Sequence, residues 1–153
     1  MKINNYITSS KKFNIEELLT FLAQDLGISD NVELTITYNN KLLKNLSTND
    51  LEFIAILCNP IPHTYVLYIK EGCCSNYTLC HEMVHLQQYE RGDLRISKDY
   101  TTVIWKNKEY GISTAYNDRE WEVEAFSKQS KLWRNFKKSK RKIKQNERSK
   151  NKI

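Results

Sequence analysis

The sequence predicts an α+β domain in which a small sheet packs against helices. Three observations carry that prediction. Some segments repeat apolar residues at helical spacing between capping signals, others alternate with a period of two, and their order runs helix, strands, helix, hairpin, helix. At 153 residues the chain suffices for one core but not for two conventional domains.

The first helix opens after Asn14, with Glu17 as its capping-box partner and Phe13 and Leu18 as a hydrophobic staple. Ile15, Leu18, Leu19, Leu22 and Leu26 then form one apolar face, and Gly27 ends it. Val32 to Tyr38 and His63 to Ile69 alternate as strands. Leu51 to Leu57, apolar and partly β-branched, is a third strand candidate whose pattern also suits a helix. Glu71-Gly72 closes the last of these strands. Ser75 or Asn76 caps a helix running to about Arg91, where Gly92-Asp93 stops it.

Thr101 to Trp105 and Glu109 to Ser113 flank Asn107-Lys108 and read as a short hairpin. Asn117 opens a last helix, with Glu120 as box partner and Tyr116 and Trp121 as staple, running to about Phe136. Residues 1–136 are therefore expected to form the domain, and 137–153 a frayed or disordered basic tail.

The net charge of +6 hides a strong asymmetry: residues 137–153 carry nine Lys/Arg against Glu147, a net of +8, which leaves −2 for residues 1–136. Lys137, Lys138, Lys140, Arg141 and Lys142 are candidates for weak nucleic-acid contact through counterion release. The opening MKINNYITSSKKFN has no uninterrupted apolar run, and no segment reaches the length needed to span a bilayer. The expectation is a protein without a signal peptide or membrane partner, cytoplasmic, with Cys58, Cys73, Cys74 and Cys80 as reduced thiols.

The chemistry concentrates in TLCHEMVHLQQ, Thr78 to Gln88. On a helix His81 and His85 lie one turn apart and can offer imidazole nitrogens to one metal ion. At about 100° per residue, Leu79, Met83 and Leu86 share one side, extended by Val84 and Cys80, while His81, His85 and Gln88 share the other. Glu82 is placed as the general base that a zinc-activated water requires.

A third ligand must come from elsewhere, because Gln88 and Arg91 stand where a three-histidine site needs Gly and His. Arg119 to Phe126 offers three glutamates, of which Glu120 belongs to the expected capping box. Glu122 falls in the apolar sector of Trp121, Ala125, Phe126, Leu132, Trp133 and Phe136, where a carboxylate needs a compensating cation. Glu124 points elsewhere and is the alternative ligand; Gln129, on the face of Glu122, is a supporting group. Tyr110 and Tyr116, between the ligand segments, are candidates for stabilising an oxyanion.

HExxH on one helix with a glutamate from a later helix resembles the gluzincin arrangement of zincin metallopeptidases. More closely, HEMVHLQQ, then WKNKEY, then YNDREWEVEAF resembles small phage and bacterial metallopeptidase-like proteins in which HEMVH precedes a WExEA segment. The resemblance covers roughly residues 75–130. It implies a minimal zincin-like metallopeptidase domain with one zinc ion on His81, His85 and Glu122, Glu82 catalytic, and a peptide or protein substrate. It also implies that His63 to Ile69 lines the substrate cleft; association with the virion is the expectation only if the chain is phage-encoded. The chain departs from the pattern at Glu120, where relatives often have proline, and at Phe126, where larger families have aspartate. An inactive zincin-like structural protein and a DNA-associated protein acting through the basic tail are the alternatives.

Overall fold

The computed structural model describes residues 1–7, 13–48, 51–97, 101–111 and 113–150. In chain order the elements are β1 (Lys2–Asn5), α1 (Ile15–Asp25), β2 (Glu33–Tyr38), α2 (Asn40–Leu46), β3 (Ala55–Ile61), β4 (Thr64–Ile69) and α3 (Asn76–Glu90). They are followed by β5 (Leu94–Ile96), β6 (Thr102–Trp105), β7 (Lys108–Gly111), a 3-10 turn (Tyr116–Asp118) and α4 (Glu120–Lys150). The fold is α+β, with two small sheets. The first has the order β1-β2-β4-β3, with β1, β2 and β4 parallel and β3 antiparallel to β4; the second is the antiparallel meander β5-β6-β7.

Two capping signals act where the sequence puts them. The Asn14 side chain accepts from Glu17 N at 3.0 Å to start α1, and Ser75 Oγ accepts from Thr78 N at 3.0 Å to start α3. Gly92, at φ 72°, turns the chain out of α3 in a backbone region that side chains disfavour.

Several elements differ from expectation. β1, α2 and β5 are additional, each only three to seven residues long and too short to display a period. The third strand begins at Ala55 and runs to Ile61, with its register shifting between Cys58 and Ile61, where Pro60 cannot donate to a ladder. The turn of the β6–β7 hairpin falls at Lys106-Asn107, both at positive φ, one residue before the expected pair. Ile112, near the end of the predicted hairpin strand, lies outside the described residues, as do 8–12 of the N-terminal stretch and 151–153 of the tail.

Two corrections bear on function. His63 to Ile69 does not line the cleft as an edge: β4 sits between β2 and β3, and the edge belongs to β3. The last helix neither starts at Asn117 nor frays after Phe136. Tyr116–Asp118 forms the 3-10 turn, α4 begins at Glu120 and continues unbroken to Lys150. The continuation needs no new nucleus, and Lys, Arg, Gln and Glu are good helix formers.

The main core gathers Leu18, Leu19 and Leu22 of α1, Leu34, Ile36, Leu67 and Ile69 of the sheet, Leu79, Met83 and Leu86 of α3, and Ala125, Leu132 and Phe136 of α4. A second cluster, Leu94, Trp105 and Trp121, joins the meander to the start of α4. α3 divides into an apolar and a histidine side as expected, yet both are buried, because α4 packs over the histidines.

Candidate metal centre

α3 and α4 bring the two halves of the sequence signal together. His81 Nε2 lies 3.0 Å from Glu122 Oε2 and 3.1 Å from His85 Nε2, and His85 Nε2 lies 3.4 Å from Glu122 Oε2. Ligand bonds of about 2.0–2.1 Å in a tetrahedral zinc site separate ligand atoms by about 3.3 Å, so the triangle has the size of one tetrahedral face. Three atoms that offer lone pairs are unfavourable so close together without positive charge between them. A proton meets that need in part; a metal ion meets it for all three.

The tautomer of His85 is set by a chain of hydrogen bonds. Gln88, fully buried, donates through Nε2 to Trp121 O at 3.0 Å and to Glu124 Oε2 at 2.8 Å, which fixes its amide. Its Oε1 must then accept from His85 Nδ1, 2.8 Å away. The proton therefore stands on Nδ1 and leaves Nε2 free for a metal, the arrangement that metal-ligating histidines use. His81 Nδ1 is buried with no hydrogen-bond partner among the described residues, so no acceptor holds a proton on that nitrogen.

Burial works against an ionised Glu122, but hydrogen bonds from His81, His85 and Tyr116 outweigh it and hold the carboxyl well below the usual range. Tyr116 donates its hydroxyl to Glu122 Oε2 at 2.7 Å. Burial likewise works against a charged His85, yet the hydrogen bond to Glu122, the nearby Glu82 and Gln88 push the imidazole up to about 9 in the metal-free site. Glu82, buried beside them, is raised, chiefly by burial and partly offset by His85 and His81. Two carboxyls in one site are thus driven in opposite directions, one toward a permanent anion and one toward a proton acceptor.

The chain matches no family model, no curated protein and no solved structure. What the site can do follows from its own atoms and surroundings.

His81, Glu82, His85 and Glu122 line a cleft of about 500 Å³. One wall is β3 with the segment before it, including Ile54, Ile56 and Leu57; the other is the meander, through Leu94, Ile96 and Val103. Ile54, Tyr77, Ile96 and Phe126 are large apolar side chains left exposed, and all four border this cleft.

The remaining sequence candidates fall as follows. Glu124 is turned away from the histidines, accepting from Gln88 and pairing with Lys128 at 2.8 Å and Arg91 at 3.2 Å, so it supports Gln88. Tyr110 lies outside the cleft: its hydroxyl donates to Glu120 Oε1 at 2.7 Å and its ring packs on Trp121. Glu120 consequently serves Tyr110 and Lys108 and not a capping box. Tyr116 and Gln129 do border the cleft. His63 sits in the β3–β4 turn, bonded to Glu90 at 2.9 Å.

Two cleft residues escaped the sequence argument. Phe126 was expected in the apolar sector; it is half exposed and sets its ring 4.6 Å from that of His81. Arg119, whose Nε donates to Thr114 O at 3.0 Å and whose guanidinium lies over the Tyr116 ring, brings a cation to the cleft. On the helical wheel Phe126 stands about 140° from Trp121, at the edge of the apolar sector, and Arg119 belongs to the irregular turn before the helix.

Lys137, Lys138, Lys140, Arg141 and Lys142 all lie on the far part of α4, away from the cleft. No helix among the described residues is long and apolar enough to cross a membrane.

Proposed function

We propose that the protein is a zinc-dependent peptidase with one metal ion on His81, His85 and Glu122 and with Glu82 as general base. The observation that carries this reading is the convergence of three ligand atoms beside a buried, proton-seeking carboxyl in an open cleft. A zinc ion held there supplies a Lewis acid and lowers the pKa of water.

The chain's own groups then divide the work. Glu82 takes a proton from the attacking water and delivers it to the leaving amine nitrogen, a task suited to a carboxyl raised above its ordinary range. Gln88 holds the His85 ring through Nδ1, and Tyr116, kept protonated by burial and by Glu122, holds the Glu122 carboxylate. The substrate is an extended peptide with apolar side chains. Among the described residues β3 pairs only with β4, so its other edge can take main-chain hydrogen bonds from an added strand, and the apolar rim receives side chains.

Substituting Glu82→Gln tests the proposal. Zinc content stays near one ion per chain while hydrolysis of an apolar peptide falls by about 10²–10⁴-fold, the usual worth of general acid–base catalysis. Undiminished turnover in that variant, or a wild-type protein that binds zinc and cleaves nothing, removes the enzyme reading.

A further inference from the structure

We infer that the part of α4 beyond Phe136 is an arm that grips the phosphate backbone of double-stranded nucleic acid. Between 137 and 150 the chain carries eight Lys/Arg and one Glu, and every residue from Arg141 to Lys150 is exposed. A charge run in a coil would be only a solvated tail; on a continuous helix the charges have fixed places.

With Lys137 at zero, Arg141, Lys144 and Arg148 fall at about 40°, 340° and 20°, in one stripe about 16 Å long. Lys138 and Lys142 stand on one flank at about 100–140°. Lys140, at about 300°, is engaged by Glu17 of α1. Lys137 rests over the Trp133 ring, which ties the near end of the stripe to the packed part of the helix. Lys137 and Arg141, Lys138 and Lys142, Lys140 and Lys144, and Lys144 and Arg148 are like-charged pairs four apart, each of which weakens an isolated helix. An anionic partner offsets those repulsions with attractions of its own, whereas solvent only screens them.

The chemistry of the arm selects among polyanions. A membrane surface requires an apolar face, and Ile143 is the one large apolar residue between 137 and 150. Single-stranded nucleic acid is held by aromatic stacking, and this stretch has no aromatic residue. A duplex needs neither. An α-helix about 10–12 Å across fits a major groove about 12 Å wide, and a stripe with a cationic flank can reach phosphates of both walls. The contacts are to phosphate, so binding does not depend on base sequence.

Fluorescence anisotropy of the full chain with a labelled mixed-sequence duplex of about 20 base pairs, titrated from about 20 to 200 mM salt, tests this. The expected result is salt-sensitive binding whose log–log slope shrinks by about 3.6 when Lys137, Arg141, Lys144 and Arg148 are all changed to Gln. Lys138→Gln with Lys142→Gln shrinks it less per charge, and truncation after Lys140 abolishes most binding. Zinc content and thermal unfolding remain those of the wild type, so a folding defect is recognised separately. Absence of binding at the lowest salt, equal losses per charge on and off the stripe, or tighter binding to a single strand or to anionic vesicles overturns the proposal. None of these readouts depends on peptidase activity.

Discussion

The two parts of α4 share one backbone and follow different rules. From Glu120 to Phe136 the helix buries Trp121, Ala125, Leu132 and Phe136 and holds Glu122 against the histidines; from Lys137 to Lys150 it buries nothing. Tertiary packing sustains the first part, and inherited nucleation with good helix formers sustains the second. Individual positions therefore matter in the packed part, since each has a fixed neighbour. In the exposed part, apart from Lys137 over Trp133 and Lys140 paired with Glu17, it is the number and side of the charges that matter.

The contrast breaks most visibly at Glu122. Glu122→Ala should take bound zinc from about one ion per chain to near none, measured by metal analysis after dialysis, whereas Lys144→Ala leaves it unchanged. Next in size, Leu132→Ala should cost about 2–5 kcal/mol in denaturant unfolding, while Ile143→Ala stays within about 0.5 kcal/mol. Equal costs would mean that the far helix packs on something in solution.

Gln88→Leu should weaken zinc binding about 10–100-fold by freeing His85 Nδ1, and Glu124→Ala, one step further out, should weaken it less. Competition with a chromophoric chelator measures both.

The last prediction is a pH dependence. His85, raised to about 9 from 6.5 without metal, stabilises the metal-free fold fully below pH 6.5 and loses that contribution as pH rises through 9. Glu82, also raised, acts in the same direction. Thermal unfolding of metal-free protein should drop over that window, while zinc affinity rises with pH to about 9 because binding displaces the proton. Parallel pH trends for stability and affinity would contradict this assignment.

Much of this was legible from residue patterns. Asn14 with Glu17 and the apolar period behind them mark α1, and the misfit of Glu122 in an apolar stripe marks its meeting with the histidines. What escaped has physical reasons. β1, α2 and β5 are too short for a period to declare itself, and their existence depends on neighbours remote in sequence. The onset of α4 was misplaced because Asn117 has the chemistry of a cap while the chain first makes a 3-10 turn. That shift moved Glu120 from a capping role to a partner of Tyr110. That β3, and not β4, forms the edge is a fact of strand order, which alternation along one strand cannot carry.

The two sheets have no strand in common, and the cleft lies between them. α3 and the turn at Gly92 join the two sheets along the chain, and Leu94, Trp105 and Trp121 pack the meander onto the start of α4. No rung of either ladder therefore spans the cleft. His81, His85 and Glu82, all on one helix, take their mutual spacing from α3 and from neither sheet.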